Sequence, residues 1–289
     1  MQYLEEFLLP SARAEDDFIL SDHPLMLMTC YSDRVYPFKI FPDMGLRRIT
    51  FSPITVFYGG NGSGKSTLLN LIARKCSLRR AAPYNETPFF DVFLERCDAK
   101  FCGILPKESR ILTSDDVFDD LLDLRSVNRG IDHRREELFL EYQKLKKEHF
   151  VLQSLEDLEE LRQHNLAKRT TKSDFTNRSL QQNLRTHSNG ETAFSLFSGA
   201  IEKPALYLLD EPENSLSAPL QQKLADFLSD AVRFSSCQLI IATHSPFFLA
   251  LEGAKIYDLD ARPVTVKDWT ELENVRLWQS FFEAHRNRF

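Results

Sequence analysis

The sequence predicts an α/β fold: a mixed, mostly parallel central sheet carrying an inserted, charged helical lobe. Three observations predict it. A β-branched and aromatic run, Ile54 to Tyr58, leads into a glycine-rich loop and then into a run with helical apolar spacing. After residue 200, short apolar strands alternate with helical stretches, the pattern of crossover connections. Between these halves, residues 126–186 become highly charged and read as long helices, so the 289 residues form one domain with an insertion at 126–186.

In chain order, residues 1–35 read as an extension packed on the sheet edge, with Phe18, Ile19 and Leu20 among acidic groups. Pro37 to Phe41, a turn at Pro42-Asp43 and Arg48 to Phe51 suggest strands leading to Ile54, a region against which an adenine base would lie. Phe89 to Leu94 and Phe101 to Leu105 read as two further strands. Ser114, followed by Asp115 and Asp116, reads as the N-cap and acidic first turn of a helix.

Within the insertion, Arg134 to Phe150 and Ser154 to Leu166 have helical spacing, and Glu136, Glu137 and Glu141 alternate with Lys144, Lys146 and Lys147 as on a solvated face. The run Lys168 to Lys172, with Arg178 and Arg185, is a candidate contact for DNA or RNA, although a solvated surface explains it as well. Strands are expected at Ala205–Leu209, Gln238–Ala242 and Ala254–Leu259, with a helix from about Ser217. The apolar stripe of Trp269 to Phe289 reads as core packing.

Composition limits the functions on offer. A net charge of −6 excludes bulk electrostatic wrapping of nucleic acid and leaves room for a local patch whose binding would fall steeply with salt. The 5 cysteines are odd in number, with no CxxC pair, which fits a reducing cytoplasm and suggests neither a disulfide framework nor a zinc site. The N-terminus lacks the basic start of a secretory signal and no apolar run reaches bilayer length, so direct membrane insertion is not expected.

Chemistry concentrates in four places. Gly59, Gly60, Asn61, Gly62, Ser63, Gly64, Lys65 and Ser66, followed by Thr67, satisfy GxxxxGK[ST] between a strand and a helix, the setting in which backbone N–H groups and a helix N-terminus cradle phosphates. Lys65 is expected on the β- and γ-phosphates of ATP, and the Ser66 hydroxyl on Mg2+. Leu206 to Glu211 is an apolar strand ending in two carboxylates. Asp210 is expected in the magnesium shell, with Glu211 facing the attacking water as general base. His244 follows another apolar strand, where its imidazole would approach the γ-phosphate. Ser188, Asn189, Gly190 and Glu191 open a helical stretch, a second anion site if a phosphate is presented to it.

Taken in order, these stretches resemble the ABC-type ATPase heads of the SMC and RecF-like group: Walker A at Gly59–Ser66, a reduced signature at Ser188–Glu191, Walker B at Leu206–Glu211, a D-loop at Asn214–Ser217 and a switch histidine at His244. Asp210 to Ser217 and Ala242 to Pro246 are most similar to small stand-alone bacterial ATPases labelled AAA family, some of which accompany phage-defence genes. The resemblance covers roughly residues 36–265. It departs from the family where His187-Ser-Asn-Gly-Glu stands for Leu-Ser-Gly-Gly-Gln, and where Leu105 to Arg110 offers no Q-loop glutamine, leaving Glu108 or Ser109 as substitutes.

The resemblance implies an ATPase using ATP and Mg2+, closing as a head-to-tail homodimer with Ser188 to Glu191 acting in trans. It further implies a protein effector or a nucleic-acid-linked process such as phage defence or DNA repair. The alternatives are the ATPase subunit of a membrane transporter and a slowly hydrolysing, nucleotide-dependent interaction switch.

Overall fold

The computed structural model describes residues 2–27, 35–84, 86–147, 158–180 and 188–288. In chain order the elements are β1 (Leu4–Leu8), α1 (Ala12–Ile19), α2 (Pro24–Leu27), β2 (Arg48–Thr50), β3 (Ile54–Tyr58), α3 (Lys65–Lys75), α4 (Phe89–Glu95), β4 (Asp98–Phe101), β5 (Arg110–Thr113), α5 (Ser114–Lys147) and α6 (Leu158–Arg169). They continue with α7 (Lys172–Ser179), α8 (Asn189–Ala200), β6 (Leu206–Asp210), α9 (Ala218–Phe234), β7 (Gln238–Thr243), α10 (Pro246–Leu249), β8 (Lys255–Asp258), β9 (Thr265–Lys267) and α11 (Glu273–Ala284).

Two compact units result, residues 1–117 with 189–289, and residues 118–188. The larger unit holds a six-stranded sheet in the order β5-β6-β7-β3-β8-β9. Its first five strands are parallel and β9 pairs antiparallel to β8. The strands β3, β6 and β7 are apolar and buried nearly throughout, as strands of a parallel sheet are when both faces are covered and none meets water. Register brings the carboxyl ends to one edge: Tyr58 lies opposite both Thr243 and Asp258, and Asp210 lies opposite both Thr113 and Ala242. In open parallel sheets this is the edge where ligands bind.

The N-terminal segment is more than an edge extension. Strand β1 is the central strand of a second, antiparallel sheet, β2-β1-β4. The buried Gln238 amide joins the two sheets: its oxygen accepts the Tyr3 and Leu4 backbone N–H groups at 2.7 and 2.8 Å, and its nitrogen donates to the Leu4 carbonyl at 2.8 Å.

Other expectations are corrected. Residues 37–41 form turns instead of a strand. Phe89 to Leu94 lies in helix α4: Phe89, Phe90 and Phe93 fall on one helical face and are fully buried, a spacing that a strand would split between two faces. The strand expected at Phe101–Leu105 lies earlier, at Asp98–Phe101, because it pairs with β1. Helix α5 is capped by Thr113 instead of Ser114, through a reciprocal box in which Thr113 N–H donates to Asp116 Oδ2 at 2.7 Å and Asp116 N–H to Thr113 Oγ1 at 3.3 Å. Helix α11 buries none of its residues, contrary to its reading as core. Leu277, Trp278, Phe281 and Phe282 are exposed; helical periodicity reports an apolar stripe but not what covers it.

The smaller unit has its own core of Leu138, Tyr142, Leu145, Ala167 and Phe175. The helix expected from Arg134 is the distal part of α5, whose 34 residues start at Ser114 and end at Lys147. Buried His164 sits with Nδ1 2.8 Å from the Leu145 carbonyl. Lys168, Arg169 and Lys172 are exposed, and the Lys172 ammonium stands 3.8 Å from the centre of the Phe139 ring. Residues 148–157 and 181–187, which include Arg185 and His187, lie outside the described residues.

Candidate functional site

Strand β3 delivers the chain at its carboxyl end into the glycine loop, and α3 starts at Lys65 with Gly64 as its cap at φ 88°, a left-handed conformation that glycine takes without strain. Gly59 is fixed by space: a β-carbon there would stand 2.5 Å from Ser63 Oγ. The Ser63 hydroxyl is buried and without a partner. Lys65 is also buried, and its ammonium donates to the Gly59 and Gly60 carbonyls at 2.8 and 3.0 Å. It lies 3.5 Å from Glu211 Oε1. A buried cation held on two carbonyls at the mouth of a helix N-terminus is arranged for an anion.

The carboxylate pair comes from β6. Asp210 Oδ1 accepts the Ser66 hydroxyl at 3.0 Å, joining the end of one strand to the first turn of α3. Burial pushes the Asp210 carboxyl up to about 6; the Ser66 hydrogen bond opposes this and the Glu211 charge adds to it. Glu211 turns the chain in a left-handed conformation at φ 48°, its N–H donating to the Ala242 carbonyl at 2.9 Å. Its Oε2 accepts the Asn214 amide at 2.9 Å.

Ser66, Asp210, Glu211 and Asn214, together with Tyr36, Arg80 and Tyr84, line a cleft of about 1110 Å³. Among the described residues no group of three or more His, Cys, Asp or Glu is placed to hold a metal ion. Ser66 with one carboxylate fits magnesium, an ion that keeps several waters and takes further ligands from phosphate.

His244 does not line that cleft. It is governed by Glu213, a buried residue that the sequence reading left without a role. Glu213 Oε1 accepts the His244 N–H at 2.9 Å and the Thr243 hydroxyl at 2.7 Å, and lies 3.3 Å from His244 Nδ1. Glu213 Oε2 is buried without a partner.

Helix α8 begins at Asn189, directly after Ser188. Gly190 is a close-approach position, where a β-carbon would stand 2.9 Å from Leu220 Cδ1 and 3.2 Å from the Ser215 carbonyl oxygen. It therefore packs α8 against the turn after Glu211 and the start of α9. Asn189, Gly190 and Glu191 do not line the cleft of Ser66 and Asp210.

Glu108 and Ser109 are not in the cleft either. Ser109 Oγ accepts the Leu206 N–H at 3.2 Å and Glu108 pairs with Lys203 at 3.6 Å, so both serve the sheet. The residues that do follow an adjacent strand into the cleft are Ser114 and Asp115, just past β5. Arg80 was also missed. It stands 4.5 Å over the Tyr84 ring, donates to the Asn70 side chain and has its pKa pulled down mainly by burial. Nothing in Leu78-Arg79-Arg80 marks it; packing alone brings it to the cleft.

Residues 121–250 match the family model described as "AAA domain, putative AbiEii toxin, Type IV TA system". The match includes Walker B and the histidine and begins after the phosphate loop. No curated protein matches the chain. Among solved structures, it is similar to the Smc head domain with an extended coiled coil of Pyrococcus furiosus, bound to the C-terminal domain of ScpA, at 13% identity over 99% of this chain and 100% of that one, with TM-score 0.44. The SMC head domain from Thermotoga maritima is similar at 14% identity over 93% and 99%, with TM-score 0.39. A dimeric ATP-binding cassette in a post-hydrolysis state, bound to ADP and Pi, is similar at 15% identity over 78% and 90%, with TM-score 0.35. Likenesses this distant carry no argument, and the fold reading rests on the sheet itself. The matched stretch is under half of the chain; the phosphate-loop motif between β3 and α3, set on a parallel-rich sheet, is that of a P-loop fold.

Proposed function

We propose that the chain binds ATP with Mg2+ at the Lys65, Ser66, Asp210 and Glu211 cluster and hydrolyses it there. The observation that carries this reading is the convergence of the Ser66 hydroxyl, the Asp210 carboxylate and the buried Lys65 ammonium at one sheet edge, with Glu211 3.5 Å from Lys65. Lys65 exchanges the Gly59 and Gly60 carbonyls for β- and γ-phosphate oxygens, and the backbone N–H groups of Gly59 to Thr67 hold the phosphates. Ser66 and Asp210 hold magnesium, which when bound offsets charge on the phosphate oxygens. Glu211 takes a proton from water as its oxygen bonds to the γ-phosphorus and the bridging bond to ADP breaks, giving ADP and phosphate. His244, oriented by Glu213, faces the γ-phosphate. Tyr36, whose hydroxyl donates to Thr67 Oγ1 at 3.0 Å, lies on the side where the base would rest.

Hydrolysis is coupled to head-to-tail pairing of two chains, in which Ser188, Asn189, Gly190 and Glu191 of each complete the γ-phosphate site of the other. The support is that Asn189, Gly190 and Glu191 open a helix without lining their own cleft. A protein effector or nucleic acid then reads the paired state. A defence role fits the description of the matched family, and the exposed Lys168, Arg169 and Lys172 are the candidate nucleic-acid contacts. The four described cysteines are unpaired, in keeping with a reducing cytoplasm. No described helix is long and apolar enough to cross a membrane.

Light scattering on the Glu211→Gln protein tests the pairing. Dimers with ATP, monomers with ADP and loss of the dimer in Ser188→Arg are expected, a differential-affinity switch. A monomer under both nucleotides that still hydrolyses ATP in its wild-type form would contradict it.

A further inference from the structure

The segment ahead of the phosphate loop is held by a carboxylate whose placement is unfavourable for folding. Glu15, in α1, is 1% exposed. Its Oε2 accepts the Lys39 backbone N–H at 2.6 Å, and its Oε1 is buried without a partner. Burial pushes this carboxyl above the ordinary carboxylate range. An acid out of water with one oxygen unsatisfied destabilises the folded chain, where an apolar side chain would bury at no such cost.

What Glu15 gains is control of the backbone. Lys39 has φ 67°, a left-handed conformation that crowds a residue bearing a β-carbon. Helix α1 grips the same segment a second time, with the Phe18 ring stacked on Phe38 at 4.7 Å. Beyond Lys39 the chain runs against the start of α3: Ile40 Cγ2 and Phe41 Cε1 lie 3.4 and 3.7 Å from where a β-carbon on Gly64 would stand. On the near side of Lys39, Tyr36 donates to Thr67 Oγ1 at 3.0 Å. Gly64 and Thr67 bracket Lys65 and Ser66, so the clamped segment bonds to Thr67 on one side of these two chemical residues and closes off the space beside Gly64 on the other.

We infer that Glu15 is a positioning residue for the nucleotide: by holding Lys39 in its left-handed turn it seats residues 36–41 against the start of α3 and sets the phosphate loop before ATP arrives. It acts through the backbone and touches neither the phosphate loop nor the cleft. Without the acceptor, Lys39 relaxes toward negative φ, the segment withdraws, and ATP binding has to order the loop. This inference rests on the ATP reading above.

The test compares Glu15→Ala, Glu15→Gln and the double variant Glu15→Ala with Lys39→Gly. Glu15→Ala is expected to weaken MgATP binding about tenfold, the scale of one strained backbone residue, with no loss of melting temperature. Glu15→Gln keeps an acceptor oxygen and stays near wild type. Lys39→Gly restores affinity to the alanine variant, because glycine takes positive φ unaided. A lower melting temperature with unchanged affinity, or a double variant as weak as the single, overturns the inference.

Amide hydrogen exchange without nucleotide separates this inference from the reading beneath it. Glu15→Ala should speed exchange at Lys39–Phe41 and Gly64–Thr67, and unchanged exchange there overturns the clamp whether or not the protein binds ATP. If wild type binds MgATP no better than Lys65→Ala, the ATP reading fails instead.

Discussion

Helix α11 and the carboxyl edge of the six-stranded sheet break the rule of burial in opposite directions. The helix leaves Leu277, Trp278, Phe281 and Phe282 in water, and the sheet edge draws Lys65, Asp210 and Glu213 out of it. Neither arrangement is what folding alone would select, since apolar area gains by burial and charge loses by it. The two departures differ in what surrounds them. At the sheet edge Lys65 pairs with Glu211 and Asp210 takes the Ser66 hydroxyl, the Ser63 hydroxyl and Glu213 Oε2 are left without partners, and a cleft lies alongside Ser66 and Asp210, so the irregularity has a direction. At α11 the exposed rings pack on their own helix, Phe281 against Phe282 at 5.6 Å and against His285 at 4.5 Å, and none of the exposed groups lines the cleft of Ser66 and Asp210.

The contrast can be tested against the ordinary core. Phe93 is fully buried in α4, with its ring 5.0 Å from Phe38, and Phe93→Ala should destabilise the protein by roughly 3–5 kcal/mol in chemical denaturation. A loss well under 1 kcal/mol would mean that the burial contrast carries no energetic weight.

At the sheet edge the sign should reverse. With the Asp210 carboxyl at about 6, the folded protein holds that proton more tightly than the unfolded chain does. The associated stability is therefore present below the ordinary carboxylate range and lost as pH rises to about 6. Asp210→Asn should accordingly stabilise the nucleotide-free protein at pH 7, by up to roughly 3 kcal/mol, while abolishing magnesium-dependent nucleotide binding. In wild type, binding of MgATP should strengthen as pH rises through about 6, because the magnesium ligand must be ionised. A destabilised Asp210→Asn protein would show that the charge is structural. At α11, Phe281→Ser should change stability by no more than about 0.5 kcal/mol, as for other surface positions. A core-sized loss would show that the helix face is covered in solution.

What the residues disclosed before the structure follows the same division. The phosphate loop, the Asp210-Glu211 pair and the strands Leu206–Asp210, Gln238–Thr243 and Lys255–Asp258 are contiguous runs whose chemistry and period lie within a few letters of one another. Glu213, Arg80, Tyr36, Asp115 and Gln238 gain their roles from neighbours distant in sequence; the Ser114–Asp116 and Asp210–Ser217 runs mark where Asp115 and Glu213 stand but not what they meet. Phe89-Phe90-x-x-Phe93 has a helical spacing that β-propensity obscured, because aromatic runs favour strands until packing chooses the face. The stripe at α11 shows the limit of periodicity: it identifies an apolar face and leaves open whether this chain covers it.

If the charges at the sheet edge are held out of water for ATP hydrolysis, Glu211 is the residue whose loss separates binding from chemistry. Single-turnover measurement on wild type and Glu211→Gln, with nucleotide affinity measured on the same samples, tests it most directly. In Glu211→Gln, MgATP affinity is expected to be retained while the hydrolysis rate falls by about 10²–10⁴-fold, the worth of a positioned general base. Hydrolysis by Glu211→Gln at the wild-type rate would contradict it.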